Sequence, residues 1–181
     1  MKPPATRAAA APVMLVVMGV SGSGKTTIAR RLAESLGWDF LDGDDLHPAA
    51  NVAKMRAGVP LVDADRWPWL AAIAAWMRQQ LTAGRSGVVA CSALRQVYRA
   101  RLRQAGTGVR FVYLRVDHEE LARRMRGREH FMPPELLGSQ LATLEEPGSD
   151  EPALRVDAGG TAEDTLALAL QGLKEQGLAL P

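Results

Sequence analysis

Gly19-Val20-Ser21-Gly22-Ser23-Gly24-Lys25-Thr26 satisfies the pattern G-x-x-x-x-G-K-[ST] at every position. Just upstream, Val13 to Met18 is a continuous apolar run, the mark of a central parallel strand covered on both faces. Downstream, Ile28, Leu32 and Leu36 recur every fourth residue while Arg30, Arg31 and Glu34 take other faces. With Gly37 as a stop, Thr26 to Leu36 reads as an amphipathic helix. Strand, glycine-rich turn and helix in that order make a phosphate-binding loop. Glycines let backbone N–H groups turn inward without Cβ clashes, and the helix N-terminus adds a favourable dipole. In this reading Gly19, Ser21, Gly22, Ser23, Gly24, Lys25, Thr26 and Thr27 hold the nucleotide. Lys25 reaches the β- and γ-phosphates as a catalytic cation, and the Thr26 hydroxyl binds Mg²⁺. The bland alternative, a Gly/Ser turn that happens to precede lysine, is outweighed by the flanking strand and helix.

The bulk properties narrow the field. A chain of 181 residues fits one domain with a genuine core. A net charge of +2 reflects arginines nearly balanced by carboxylates, so no nucleic-acid partner is implied. Cys91 is the single cysteine, which excludes an intrachain disulfide or a cysteine-cluster zinc site and suits a reducing cytosol. Lys2 and Arg7 followed by Ala8 to Val20 imitate a signal peptide, but cleavage near Gly19 to Ser23 would destroy the loop, and the apolar run is too short to span a bilayer. Residues 1–11 therefore read as a flexible tail before one domain over 12–176. No N-K-x-D base-reading tetrapeptide occurs, which favours ATP over GTP.

Further strands are expected at Phe40 to Asp42, Val88 to Cys91, Val109 to Leu114 and Leu154 to Val156. Helices are expected from Trp67 to about Ala83 with Asp65 as cap, and over Gln96 to Gln104, Asp117 to Arg126 and Glu135 to Leu144. A last helix opens with the capping-box pair Thr161 and Asp164. The alternation predicts an α/β fold, a doubly wound parallel five-stranded sheet with helices on both faces.

The third strand ends without the metal-linked aspartate common among P-loop NTPases, so the acidic group must come from elsewhere. Asp42-Gly43-Asp44-Asp45, just past the second strand, is the source. If the chain stays extended there, Asp42 and Asp44 point the same way. One carboxylate then holds the metal, the role given to Asp42, and the other orients an acceptor hydroxyl, the role given to Asp44. A helix-capping acidic turn is the alternative for the pair. His47 either binds substrate or is satisfied by local backbone.

With these segments assembled, the chain resembles the gluconate kinase family of small P-loop kinases, relatives of shikimate and nucleoside monophosphate kinases. The resemblance runs from about Val13 to Leu173. It is carried by Met18 to Thr26, Leu41 to Pro48, Asn51 with Lys54-Met55, Gly58 to Leu61, Asp63 to Leu70, Cys91-Ser92-Ala93-Leu94-Arg95 with Tyr98-Arg99, and His130-Phe131-Met132-Pro133 with Thr143-Leu144-Glu145-Glu146-Pro147. It implies transfer of the ATP γ-phosphoryl group to the 6-hydroxyl of D-gluconate, a cytoplasmic place in carbohydrate catabolism, and often a homodimer. A linear polyol acid asks for hydrogen-bonding groups and a cation for its carboxylate. Arg66, Arg95 and Arg99 are candidates for that cation. Arg95 and Arg99, at i and i+4 of a helix, serve equally as a clamp on the transferring phosphoryl group, so Arg99 joins Lys25 and Asp44 among the catalytic candidates. Trp67, Trp69 and Trp76 are either a sugar-stacking set or core.

In this kinase class the basic stretch Arg123, Arg124, Arg126 and Arg128 matches a mobile lid, here about 123–134, closing over ATP. Arg124 and Arg128 are the arginines it would bring to the nucleotide. The chain departs from the family in lacking the glycine usually found before His130-Phe131. Another small-molecule kinase of this fold, and an ATP-binding regulator without turnover, are the competing readings.

Overall fold

Every residue from Met14 to Met18 is buried, as an uninterrupted apolar run requires of a strand covered on both sides. In the computed structural model, which describes residues 10–126 and 136–181, this is strand β1 (Met14–Met18). It is followed by β2 (Asp39–Asp42), β3 (Gly87–Ala90), β4 (Val109–Arg115) and β5 (Ala153–Asp157). All pairings are parallel and the order is β2-β3-β1-β4-β5, with Val16 opposite both Val89 and Phe111. The helices are α1 (Lys25–Leu36), α2 (Ala49–Arg56), α3 (Asp63–Thr82), α4 (Gln96–Arg103), α5 (His118–Arg126), α6 (Leu136–Thr143) and α7 (Ala162–Glu175).

Strand periodicity divides the core into two layers. Leu15, Val17, Val88, Ala90, Val112 and Leu114 turn toward Ile28 and Leu32 of α1 and Ala169 and Leu173 of α7. Met14, Val16, Met18, Val89, Phe111 and Tyr113 turn the other way, onto Leu70, Ile73 and Met77 of α3 and Tyr98 and Leu102 of α4. Each large side chain fully withdrawn from water contributes roughly 1.5–3 kcal/mol, so these layers hold the sheet flat against its helices. The doubly wound α/β architecture is as the sequence predicts.

Three local expectations are corrected. Helix α3 begins at Asp63, four residues before Trp67, and Asp65 lies inside it, its carboxylate accepting from Val62 N at 3.0 Å. The chain does not stay extended past β2: Gly43–Leu46 is a single 3₁₀ turn, capped by Asp42, whose Oδ1 accepts from Asp44 N at 3.1 Å. Arg95 is the N-cap of α4 with extended backbone, so Arg95 and Arg99 do not share a helical face. The capping box of α7 forms as expected, Thr161 Oγ1 accepting from Asp164 N at 3.1 Å. Among the described residues no helix is long and apolar enough to cross a membrane.

Candidate active site

The carboxyl ends of β1, β2 and β3 converge on one crevice, the edge where open parallel sheets place their ligands. After β1 the loop carries Gly22 and Gly24 at φ 81° and 93°, left-handed backbone that glycine adopts without strain. A Cβ at Gly19 would meet Ser23 Oγ at 2.8 Å and Leu114 O at 3.0 Å, so the tight entry to the loop also needs glycine. Lys25 Nζ donates to Val20 O at 3.0 Å. Burial lowers its pKa, opposed by the negative charge of Asp44 and Asp42. Ser23 is 1% exposed, and among the described residues its Oγ is a buried hydroxyl without a hydrogen-bond partner. Such orphans are costly unless a ligand completes them. A polyphosphate, rich in acceptor oxygens, fits this cradle.

Across β3 from β1, Asp42 ends β2 and its Oδ2 accepts from Thr26 Oγ1 at 3.0 Å. The residues given to the metal are thus brought together. Gly43 packs so closely that a Cβ would lie 2.5 Å from Ala90 O, and its carbonyl accepts from Trp69 Nε1 at 2.7 Å. The acidic turn is thereby fixed to both β3 and α3. Asp44 projects from it with its carboxyl pKa raised, first by desolvation and then by Asp42 and Asp45, against the pull of Lys25.

A cleft of about 140 Å³ opens beside the loop, lined by Lys25, Asp44, His47, Arg66, Ser92 and Tyr98 among others. His47 stacks on Trp69 with centroids 4.1 Å apart and an interplanar angle of 15°. Its Nε2 lies 3.9 Å from Asp44 Oδ1, and burial, aided by Arg66, holds its pKa down at about 4. Arg66 Nη1 donates to Tyr98 OH at 3.0 Å and lies 3.5 Å from Asp63 Oδ1. Asp63 also accepts from the Tyr98 hydroxyl and, at 2.8 Å, from Arg95 Nη1. Those contacts, the Tyr98 hydroxyl first, keep the Asp63 pKa below its usual value. Arg66 is therefore held at the cleft wall. Arg95 stands in an adjoining hollow of about 450 Å³, where its Nε donates to Glu145 Oε1 at 3.2 Å.

Arg99 is a correction. It is fully buried, its Nε and Nη2 donating to Glu151 at 2.6 and 2.8 Å and its Nη1 to Ala93 O at 3.0 Å and Leu94 O at 3.3 Å. With every nitrogen engaged inside the protein, it holds the turn after β3, where Ala93 has φ 44°, and does not line the cleft. The tryptophans are not a sugar-stacking set: Trp69 is buried beneath His47, Trp76 packs on the core, and Trp67 sits edge-on to Tyr98.

A second groove, of about 710 Å³, is lined by Ser23, Thr27, Arg124, Ala158, Gly160 and Thr161 among others. Arg124 bridges it, donating to Glu120 Oε1 at 2.7 Å, to Ala158 O at 2.6 Å and to Gly22 O at 3.4 Å. Arg123, then Arg124, hold the Glu120 pKa down at about 2. Arg128 and the rest of the expected lid from 127 to 134 lie outside the described residues.

Several groups here carried no local signal. The 158–161 turn becomes part of the groove only through the β4–β5 pairing, and Gln140, whose Oε1 accepts from Ser21 N at 2.6 Å, comes from α6 far along the chain. Asp63 and Tyr98 sit within the segments that carry the resemblance, but the bond between them depends on α3 packing against α4.

A family profile described as an AAA domain matches residues 14–147. A gluconokinase of Gluconobacter oxydans (strain 621H) is 57% identical over 146 residues, covering 80% of this chain and 82% of that protein. The thermoresistant gluconokinase of Escherichia coli (strain K12) is 41% identical over 164 residues, covering 88% and 93%. The crystal structure of a gluconokinase from Sinorhizobium meliloti 1021 superposes with a TM-score of 0.82 at 44% identity, covering 92% of this chain and 94% of that one.

Proposed function

The chain belongs to the gluconokinase family and phosphorylates gluconate with ATP, and we propose that the 6-hydroxyl of D-gluconate receives the phosphoryl group in the cleft between Lys25 and Arg66. The observation that carries this placement is that an ammonium from the phosphate loop, a carboxylate and a guanidinium line one small cavity. Gluconate needs all three: charge neutralisation at the phosphoryl group, an acceptor for its hydroxyl proton, and a cation for its own carboxylate.

In this reading Asp44 orients the attacking hydroxyl and takes its proton as the new bond to phosphorus forms. The raised pKa favours that second task, since it makes the carboxylate a better base. Arg66, pre-set by Asp63 and Tyr98, pairs with the carboxylate at the other end of the polyol. Lys25 exchanges its bond to Val20 O for a phosphate oxygen. Thr26 and Asp42 are the residues that would hold Mg²⁺, which supplies charge neutralisation on the β- and γ-phosphate oxygens. Thr27, Arg124 and the 158–161 turn receive the nucleoside end of ATP. Homodimerisation and a cytoplasmic location, which the family resemblance implies, belong to the same proposal; light scattering on the purified protein tests the first.

A coupled assay of ADP release tests the acceptor. D-Gluconate should give the highest kcat/KM among gluconate, shikimate, AMP and neutral hexoses, because ligands that leave buried polar and cationic groups unpaired are penalised. Preference for AMP or shikimate would overturn the assignment.

A further inference from the structure

Asn51, on α2, is 3% exposed and stands between the His47 ring and the start of α3. Its side-chain amide faces Asp65 O at 2.8 Å. A carbonyl oxygen only accepts, so the atom facing it must be Nδ2, which settles the orientation of the amide. The same nitrogen lies 3.4 Å from His47 Nδ1, and its second N–H is the one available to that ring nitrogen. A proton on Nδ1 would set two hydrogens against each other. Nδ1 therefore accepts, and a neutral imidazole then carries its single proton on Nε2.

The ring is also fixed in place. Trp69 stacks beneath it and is itself tied to Gly43 O. This leaves Nε2–H directed into the cleft, 3.9 Å from Asp44 Oδ1. That separation is too long for a direct hydrogen bond. A ligand oxygen between the two would accept from Nε2–H and donate to the carboxylate, and only a hydroxyl does both at once.

We propose that Asn51 is a positioning residue that locks His47 as an Nε2–H donor, so that His47 and Asp44 together form a seat for one hydroxyl of the acceptor. The seat rests on the reading of this cleft as the acceptor site. It adds to that reading a tautomer, a residue that sets it, and a requirement for an oxygen able to donate and accept.

The test starts with wild-type protein labelled with ¹⁵N-histidine and free of substrate. A long-range ¹H–¹⁵N spectrum of the ring, assigned by the signal lost in His47→Gln, should show the Nε2–H form; an Nδ1–H ring would overturn the proposal. Because no acceptor is present, this result is independent of the acceptor panel, which separately decides whether gluconate is the substrate. Asn51→Asp places a carboxylate opposite Nδ1 and should draw the proton there, raising the gluconate KM roughly tenfold with the ATP KM unchanged, the size expected for one lost hydrogen bond. A purely structural role would instead lower the folded fraction and leave the tautomer as it was. His47→Gln keeps an N–H near the position of Nε2 and should retain more affinity for gluconate than His47→Leu. Equal losses in those two variants, or an Asn51→Asp enzyme with wild-type tautomer and KM, would overturn the assignment.

Discussion

Thr26 Oγ1 and Asp42 Oδ2 lie 3.0 Å apart, a hydrogen bond that joins the first turn of α1 to the last residue of β2. Asp44, two residues on, lines the cleft beside the phosphate loop. The proposed reading gives the two carboxylates separable duties. Asp42→Asn should lose activity that rising Mg²⁺ partly restores. Asp44→Asn should lower kcat by ~10²- to 10⁴-fold at every Mg²⁺ concentration, the usual range for general-base help. Steady-state rates across a Mg²⁺ titration measure both, and an Asp44→Asn enzyme within about threefold of wild type would remove its catalytic role.

Lys25→Ala removes the cation beneath the phosphate loop. Turnover should fall by roughly a hundredfold or more, as for loss of a preorganised charge in a water-poor site. Circular dichroism should show an unchanged fold, and near wild-type turnover would refute the loop assignment.

Arg99 and Arg66 should behave oppositely. Arg99→Met leaves the Glu151 carboxylate, its side chain only 4% exposed, without its partner, and should cost about 3–5 kcal/mol of stability. The double change Arg99→Met with Glu151→Leu should recover much of that loss, because no unpaired charge remains. Arg66→Met should leave Tm nearly unaltered and raise the gluconate KM by roughly ten- to a hundredfold, the range for one charged hydrogen bond. Thermal melts and initial rates on the same preparations separate the two residues.

His47 gives a pH signature. Its folded pKa, about 4, lies below the ordinary value of 6.5, so between those values the unfolded chain takes up a proton that the native ring refuses. Stability should rise with pH from about 4 to 6.5 and level off above, a swing of up to roughly 3 kcal/mol. Urea unfolding of wild type and His47→Gln across this range reads the effect as a difference. Wild type should lose ground to the variant as pH falls, and a constant difference would disprove it.

The strand–loop–helix unit around Lys25 was legible because its chemistry is local: backbone, glycines and lysine all lie within one short stretch. Asp42 and Asp44 were legible as a pair, but not their geometry, since the 3₁₀ turn depends on Gly43 packing against Ala90 O. Arg99 was misread because the partner that claims it, Glu151, is 52 residues away. In the sequence, an arginine buried against a distant glutamate looks the same as one facing a ligand. The 158–161 turn went unread for the same reason.

The strand order β2-β3-β1-β4-β5 sets Asp44, His47 and Arg66 on the side of the β2 edge, and Arg124 with the turn after β5 on the other, with the Lys25 loop between them. The protein is thus divisible for an evolving or an engineered lineage. Substitutions on the β2 side could exchange one polyol acid for another while the grip on ATP is inherited intact, and free-energy effects drawn from the two sides should simply add.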